Sequence, residues 1–144
     1  METDRIAEAS ISINMPREAV WDALTDPAAI KQYMFGTTVK TDWREGGEIR
    51  WKGDWKGRPY EDKGTILAVV PLRRLVYSHF SPLSGKPDTL DNYHTVSIAL
   101  AEDGLRTEVT LTQDNNPTDE ARAHSEENWV GMLLALKRYV EARH

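Results

Sequence analysis

Hydrophobic residues near the end of the chain recur with the period of an α-helix. On a helical wheel of about 100° per residue, residues 117–143 place their large apolar side chains on one face. That face carries Trp129, Met132, Leu133, Leu136, Tyr139 and Val140. Asn116 and Pro117 predict the N-terminal cap and first turn of this helix. We therefore expect one long amphipathic helix that packs on a broad apolar surface.

The beginning of the chain predicts a strand followed by two short helices. Apolar and polar residues alternate over residues 6–14, which is the pattern of a half-buried strand. Pro16 opens a short helix, and Asp26-Pro27 starts a second one that runs to about Tyr33.

The middle of the chain has a period of two and predicts six more strands. Val39, Thr41 and Trp43 form one face of the first of them, which precedes a turn at Gly46-Gly47. Later breaks fall at residues 57–59, at Pro71, in a long loop over residues 81–92 and at residues 102–104. We therefore predict a single α+β domain over residues 1–144, in which a curved antiparallel sheet (β-α-α-β-β-β-β-β-β-α) wraps around the C-terminal helix.

Strand parity places two histidines on inward faces. His94 shares a face with Val96 and Ile98, and a turn at residues 102–104 would put it beside Leu111 and diagonal to Gln113. His79 aligns with Leu75 and Tyr77, although that strand could instead turn Val76, Ser78 and Phe80 inward. An inward histidine is commonly a hydrogen-bonded core residue, so packing and function both stay open.

Composition and charge argue against two classes of partner, nucleic acids and membranes. The 144 residues carry a net charge of -5 and no cysteine. The net negative charge argues against a nucleic-acid partner, because nucleic-acid phosphates bind basic protein surfaces. Residues 1–30 contain neither a basic segment before an apolar core nor an apolar run that could span a bilayer. We therefore expect a cytoplasmic protein with no membrane partner.

The sequence has no motif for a metal or a phosphate-containing cofactor. None of the four histidines has a partner at metal-ligand spacing. Gly46-Gly47 lies between two strands and fits a hairpin turn better than a phosphate-binding loop. Gly-x-Ser-x-Gly is absent, which excludes the nucleophile elbow. We expect no cofactor and no metal.

Tryptophans and one polar helix turn mark a candidate cavity. Trp51 and Trp55 flank Gly53 on one strand face and would leave a gap that a flat molecule could fill, unless they pack under the final helix. Arg122 and Ser125 take inward positions in the first turns of that helix. They would line a cavity mouth, unless the helix overhangs into water there.

The chain resembles the START-like, birch-pollen-allergen-like helix-grip superfamily, also called SRPBCC. Within it, the chain is most similar to the family of activator of heat-shock-protein-90 ATPase homologue-like proteins. The matching segments are residues 15–27 (MPREAVWDALTDP), 45–49 (EGGEI), 64–66 (GTI), 71–78 (PLRRLVYS), 107–112 (TEVTLT) and 129–136 (WVGMLLAL). Two positions depart from the family pattern: His79 stands where tryptophan is common, and Asn128 where glycine is frequent.

The resemblance implies a cavity between the sheet and the long helix that holds a small apolar or amphipathic molecule. Strand parity and helix phase would line it with Trp51, Trp55, His79, His94, Gln113, Arg122, Ser125 and Trp129. The alternatives are a cyclase, dehydratase or hydrolase that uses His79 or His94 as general acid–base, and an interaction module of co-chaperone type. A hydrogen-bonded acid–base pair at the cavity floor would favour the enzyme, and an apolar cavity without such a pair would favour the carrier. A filled interior with an exposed apolar patch would favour the interaction module.

One apolar residue falls outside the inward stripe of the helix. Leu134 lies roughly 140° from Trp129 on the wheel. This position predicts a homodimer that uses that edge, although scattered exposed leucines are also normal in monomers.

Overall fold

The fold is a seven-stranded antiparallel sheet on which a long C-terminal helix packs. The computed structural model describes residues 5–142, apart from the side chain of Trp55. The strand order is β1-β7-β6-β5-β4-β3-β2, which confirms the predicted helix-grip architecture. In chain order the elements are β1 (Arg5–Ile13), α1 (Arg17–Leu24), α2 (Pro27–Tyr33), β2 (Thr38–Lys40), β3 (Glu48–Trp55), β4 (Arg58–Val70), β5 (Arg74–His79), β6 (His94–Asp103), β7 (Arg106–Asn116) and α3 (Asp119–Ala142).

The core lies between α3 and the sheet. Leu133, Leu136 and Val140 of α3 are buried, as the helical wheel predicts. Burial of one such side chain stabilises the fold by about 1.5–3 kcal/mol. Trp129 is half-buried: its ring packs against the core and also lines a pocket beneath α3.

The predicted cap of α3 is wrong by two residues. The Thr118 hydroxyl accepts a hydrogen bond from the Ala121 backbone N–H at 3.0 Å, so α3 begins at Asp119. Asn116 is buried instead, and its Nδ2 donates to the Arg5 carbonyl oxygen at 2.8 Å. Arg143, at the predicted end of the helix, lies outside the described residues.

The predicted register of the last hairpin is also wrong. Ile98, and not His94, lies opposite Leu111, and Val96 lies opposite Gln113. The reason is a two-residue turn at Gly104-Leu105, where Gly104 has φ +66° at a position that primed hairpin turns give to glycine. The register differs from the prediction by an even number of residues, so the predicted inward faces are unchanged.

Two local features end or bend strands near the site. β2 ends at Lys40, so Trp43 does not continue the predicted strand and instead has φ +58°. In β4, a Cβ on Gly64 would lie 1.7 Å from the Ser78 carbonyl oxygen of β5. Glycine is therefore required at residue 64, because the backbone of β5 leaves no room there for a side chain.

The described helices differ from membrane spans in length or polarity. Within residues 5–142 no helix is long and apolar enough to cross a bilayer.

Candidate functional site

Polar side chains collect at one end of the inward face of the sheet. His79 of β5 lies directly opposite His94 of β6. Gln113 of β7 lies one inward position further along, opposite Val96. Because side chains alternate along a strand, these three residues lie on the face that also carries the buried Leu75 and Ile98. Of the two orientations that the sequence left open for β5, the structure has the one that turns His79 inward.

These residues border an inner cavity of about 170 Å³ beneath α3. Aromatic rings form much of its wall, and a few polar groups converge on it, which is the usual composition of a ligand site. The lining residues are Met34, Thr37, Trp51, Tyr60, Asp62, Tyr77, His79, His94, Gln113 and Trp129.

An aspartate–histidine pair forms part of this wall. His79 Nε2 lies 2.9 Å from Asp62 Oδ2. A carboxylate can only accept, so Nε2 carries the proton and Nδ1 of the neutral ring is left as an acceptor. The side chain of Asp62 is 15% exposed, and its Oδ1 is buried without a hydrogen-bond partner among residues 5–142. Trp51 packs edge-on against the imidazole, with ring centroids 5.0 Å apart.

The second histidine is oriented by the backbone of β7. His94 Nδ1 lies 2.9 Å from the Asp114 carbonyl oxygen, which can only accept, so Nδ1 carries a proton. In the neutral ring, Nε2 is then the acceptor. The ring centroids of His79 and His94 are 6.4 Å apart. Each of the two neutral imidazoles therefore has one nitrogen engaged as a donor and one that has no hydrogen-bond partner among residues 5–142.

A side-chain amide network joins the cavity wall to α3. Trp129 Nε1 donates to Gln113 Oε1 at 2.5 Å, which also fixes which end of the amide faces the indole. Asn116 Oδ1 accepts from the Ser125 hydroxyl at 3.1 Å, and Asn116 Nδ2 donates to the Gln113 carbonyl oxygen at 3.1 Å. This network holds the half-buried Trp129 ring over the inner cavity.

An outer chamber of about 370 Å³ adjoins the inner cavity and shares His79, His94 and Gln113 with it as lining residues. The loop between β5 and β6 forms one wall, and the first turns of α3, including Ala121 and Ser125, form another. The inner cavity therefore meets a more polar vestibule across these three side chains.

The loop that walls the outer chamber is held in place by side-chain contacts. Asp88 forms an ion pair with Lys63 of β4 and accepts from the Tyr93 hydroxyl at 2.6 Å. The hydrogen bond from the Lys63 ammonium, followed by the one from Tyr93, holds the pKa of the Asp88 carboxyl below its usual range. Asn115 Nδ2 donates to the Asp91 carbonyl oxygen at 2.8 Å, which ties the loop to β7.

Deeper in the core the inward face becomes apolar. Tyr77 lines both the inner cavity and a void of about 30 Å³ behind it, and its ring packs against Trp51 with centroids 5.1 Å apart. Burial raises the pKa of the Tyr77 hydroxyl well above its usual range, so this phenol stays protonated. The other end of the void is lined by Ile49, Leu75 and Ile98.

The predicted site residues divide into four groups. Trp51, His79, His94, Gln113 and Trp129 meet at the inner cavity, and Ser125 lines the outer chamber. Arg122 lines neither of them, because its guanidinium pairs with Glu126 at 3.1 Å. Glu126 in turn accepts from the Glu8 backbone N–H of β1 at 3.0 Å. The side chain of Trp55 lies outside the described residues.

The predicted gap over Gly53 is occupied by the chain itself. Tyr60 lies opposite Gly53 across the β3–β4 hairpin, and a Cβ on Gly53 would be 2.7 Å from the Tyr60 hydroxyl oxygen. The Tyr60 hydroxyl also hydrogen-bonds the Thr37 hydroxyl at 2.8 Å. The glycine therefore accommodates an internal tyrosine, and the space for a ligand lies further toward His79.

Sequence reasoning missed Asp62, Tyr60, Thr37, Met34 and Tyr77 as cavity residues. A signal for Asp62 existed, because it lies opposite Trp51 across the hairpin. The predicted turn at residues 57–59 obscured it, since the strands are in fact joined by Lys56-Gly57. With that two-residue turn, Asp62 would have fallen on the inward face of β4 beside Trp51.

Another concave region lies at the rim of the sheet. A depression of about 770 Å³ at the rim of the sheet is lined by Phe35, Lys52, Tyr60 and their neighbours, and it opens broadly to solvent. Among residues 5–142, no three histidine, aspartate or glutamate side chains are grouped so that they could hold a metal ion.

Comparisons with solved structures agree with this fold. The chain is 55% identical to the protein ChR145 from Cytophaga hutchinsonii, with a TM-score of 0.87 and coverage of 99% of this chain and 98% of that one. It is 21% identical to DynU16, a protein of the dynemicin biosynthetic locus, with a TM-score of 0.80 and coverage of 96% and 48%. It is also 21% identical to Aha1 from Colwellia psychrerythraea, which was solved as a dimer, with a TM-score of 0.73 and coverage of 94% and 96%.

At these lower identities the likeness extends to the fold alone. None of the curated proteins matches the chain in sequence. The family model described as "Activator of Hsp90 ATPase homolog 1-like protein" matches residues 14–141, which is most of the chain. This match agrees with the resemblance drawn from the sequence segments. The chain therefore belongs to the Activator of Hsp90 ATPase homolog 1-like family.

Proposed function

We propose that the chain binds a small aromatic or apolar molecule with a polar substituent in the cavity beneath α3. The observation that carries this proposal is the inner cavity of about 170 Å³, whose aromatic wall is interrupted by His79, His94 and Gln113. Those residues also border the outer chamber, so a ligand would extend its polar group toward them.

The volume of the cavity limits the size of the ligand. An apolar cavity of about 150 Å³ accommodates benzene in a protein interior. A cavity of about 170 Å³ therefore suits one substituted ring. A longer molecule would need the outer chamber of about 370 Å³ for its remaining atoms.

The polar wall supports a ligand that can hydrogen-bond. The buried Asp62 Oδ1 has no partner among the described residues, and buried polar atoms are costly when they are left unpaired. His79 and His94 each offer one free acceptor nitrogen if they are neutral. A purely aliphatic ligand would leave these groups unpaired, whereas a hydroxylated ring would pair with at least one of them.

Binding can be measured by NMR on the side chain of Trp129. Toluene and para-cresol would be titrated into isotope-labelled protein, and the indole N–H resonance of Trp129 would be followed by NMR, since that group closes the cavity. Both probes should shift this resonance, and para-cresol should bind more tightly. Native mass spectrometry of freshly isolated protein would show whether a cellular molecule is already bound.

Two variants separate cavity binding from surface binding. Replacement of His94 and Gln113 by leucine should weaken para-cresol binding, whereas Leu134→Ala, on the exposed side of α3, should leave it unchanged. The proposal is wrong if neither probe shifts the Trp129 resonance and native mass spectrometry detects no bound molecule.

An acid–base enzyme is a second candidate, and one specific observation favours it. The Asp62–His79 hydrogen bond of 2.9 Å lies in the cavity wall, and a carboxylate that orients an imidazole is a recurring arrangement in general acid–base catalysis. Turnover of a bound carbonyl or hydroxyl compound that disappears in His79→Gln would support this candidate. Unchanged turnover in His79→Gln would rule it out.

We further propose a homodimer through the exposed edge of α3. Val130 is 45% exposed and Leu134 is 41% exposed, one helical turn apart. Leu134→Glu should raise the dimer dissociation constant in sedimentation equilibrium, whereas Leu105→Glu, at the tip of the β6–β7 hairpin, should not. A monomer at all concentrations tested would contradict this proposal. The cytoplasmic location stays a prediction from the sequence.

A further inference from the structure

We propose that the cavity selects rings that carry an acidic hydroxyl group, a phenol or an enol, and binds them as their anions after the hydroxyl proton passes to His79. This inference rests on the proposed cavity binding and names the ligand class of that same site. It follows from the geometry of Asp62, His79 and His94.

His79 is set up to take a proton. Its Nε2–H already donates to Asp62 Oδ2 at 2.9 Å, so the incoming proton can bind only at Nδ1. No residue among 5–142 hydrogen-bonds to Nδ1, and His79 lines both chambers. In the step proposed, the O–H bond of the ligand breaks, its electron pair stays on the oxygen, and the proton binds Nδ1.

Asp62 supplies the charge that stabilises the protonated imidazole. The carboxylate is 15% exposed, and its Oδ1 is buried with no partner within residues 5–142. An opposite charge at hydrogen-bond distance favours the charged form of a titratable group, more strongly where water is scarce. A proton on His79 therefore turns a partly unsatisfied buried carboxylate into one half of an ion pair.

His94 offers a second contact to the same oxygen or to a neighbouring substituent. Its Nδ1 is held by the Asp114 carbonyl oxygen, which leaves Nε2 for the ligand. The two ring centroids are 6.4 Å apart and both rings line the two chambers, so one ligand can contact both imidazoles. The other titratable groups that line the two chambers are Tyr60, Tyr77, Lys86, Asp91 and His124.

The aromatic walls suit the remainder of such a ligand. Trp51 and Tyr77 line the inner part of the cavity, and Trp129 lies on the side of α3. These rings would pack on a ligand ring whose oxygen faces His79. Aromatic pairs stabilise such packing beyond the area that they bury.

The experiment uses para-nitrophenol, whose anion absorbs at a longer wavelength than the neutral phenol. The probe is titrated with the full chain at a pH about one unit below that at which free para-nitrophenol half-ionises, where the free probe is mostly neutral. Binding should produce the anion spectrum. Binding should raise the apparent acid dissociation constant of the phenol by about tenfold or more, which lowers its pKa by at least one unit.

Variants test whether the Asp62–His79 pair causes the ionisation. Asp62→Asn keeps the shape of the side chain and removes its charge, and His79→Gln removes the proton acceptor. Both should bind para-nitrophenol with the neutral spectrum. Glu61→Gln is the matched control, because Glu61 is adjacent on β4 but pairs with Arg50 at 3.2 Å, away from the cavity, and it should keep the anion spectrum.

The outcomes separate this inference from cavity binding in general. Nitrobenzene, which lacks the hydroxyl, is titrated in parallel by NMR at the Trp129 indole. If para-nitrophenol binds as the neutral phenol, or if Asp62→Asn keeps the anion spectrum, this inference is overturned and cavity binding stands. If nitrobenzene binds as tightly as para-nitrophenol, hydroxyl selection is overturned. If neither compound binds, both this inference and the proposed function fail.

Discussion

The two ends of the surface between the sheet and α3 differ in chemistry although they are built from the same strands. At one end, Leu75 lies opposite Ile98, which lies opposite Leu111, and all three side chains are buried. At the other end, His79 lies opposite His94 and both are only partly buried. We call the end with Leu75, Ile98 and Leu111 the dry end, and the end with His79 and His94 the polar end.

The long helix divides in the same way. Its second half contributes Leu133, Leu136 and Val140 to the dry end, where they are buried. Its first half contributes Ser125 and the half-buried Trp129, which line the outer chamber and the inner cavity. A single helix therefore closes a core at one end and covers a site at the other.

This difference separates the residues that stabilise the fold from those that form the candidate site. Close-packed apolar side chains at the dry end supply the burial that stabilises the domain. At the polar end the chain keeps a cavity, two imidazoles and an Asp62 oxygen that has no partner within the described residues. Each of these costs stability unless a ligand or water satisfies it. Local departures from good packing of this kind are typical of functional sites.

The largest effect is expected from a truncation at the dry end. Leu136→Ala or Leu133→Ala should lower the free energy of unfolding by about 2–5 kcal/mol, because each removes a fully buried side chain and leaves a cavity. Chemical denaturation measures this. Leu134→Ala, on the exposed side of the same helix, should change the free energy by less than about 0.5 kcal/mol. Losses that small at both buried leucines would contradict the helix-grip packing.

A substitution next to the polar end tests how the strands bring Asp62 and His79 together. Gly64→Ala would place a Cβ 1.7 Å from the Ser78 carbonyl oxygen, so β4 and β5 must separate. We expect a loss of about 1–3 kcal/mol in the free energy of unfolding. The histidine NMR signals should also report a weakened Asp62–His79 bond.

The matched control is Gly131→Ala on α3, where an added Cβ meets nothing within 4 Å. Because glycine is a poor helix former, this change should raise the free energy of unfolding by about 0.5–1 kcal/mol. Equal destabilisation by both substitutions would show that the contact at Gly64 is not the cause.

Trp129→Phe probes the boundary between the two ends. The change keeps a ring over the cavity but removes the N–H that donates to Gln113 Oε1 at 2.5 Å. We expect a loss of about 1 kcal/mol in the free energy of unfolding, the usual net value of one hydrogen bond. Bound para-cresol should also dissociate faster, which NMR line shapes can measure. An unchanged dissociation rate would mean that this bond does not hold the cavity closed.

Removal of polar groups from the cavity wall should affect binding far more than stability. In the double variant His94→Leu and Gln113→Leu, the apolar area gained offsets the hydrogen bonds lost, so the free energy of unfolding should stay within about 1 kcal/mol. Binding of para-cresol should be much weaker. If the fold becomes more stable and binding is unchanged, these two residues serve packing and not the site.

The smallest effect concerns the loop that walls the outer chamber. Hydrogen bonds from Lys63 and Tyr93 lower the pKa of Asp88, so the stabilisation from this carboxylate is present above its unfolded-state pKa and is lost as the pH falls through its folded-state pKa. The protection factors of the amides in residues 86–93, which compare the intrinsic exchange rate with the measured rate at the same pH, should therefore change little between about pH 7 and pH 5 and fall below about pH 4. Asp88→Asn should accelerate exchange already at neutral pH. A steep change in these protection factors between pH 7 and pH 5 in the unmodified chain would contradict this assignment.

Strand parity and helix phase could be predicted from the sequence alone. The inward faces that carry His79, His94 and Gln113 are as predicted, because the alternation of side chains along a strand is a local property of the backbone. The buried stripe of α3 follows from the same kind of local argument. Even an incorrect turn at the last hairpin left these faces unchanged, since the register differed by an even number of residues.

The partners of each side chain were decided by the tertiary structure. Asp62 meets His79, Tyr60 fills the space over Gly53, and Arg122 pairs with Glu126 outside both chambers. None of these contacts follows from periodicity, because each depends on turn length or on how a neighbouring element approaches. A period of two determines which side of a strand faces the core, whereas the arrangement of strands and helix in space determines which groups come within hydrogen-bond distance, and therefore where the cavity lies.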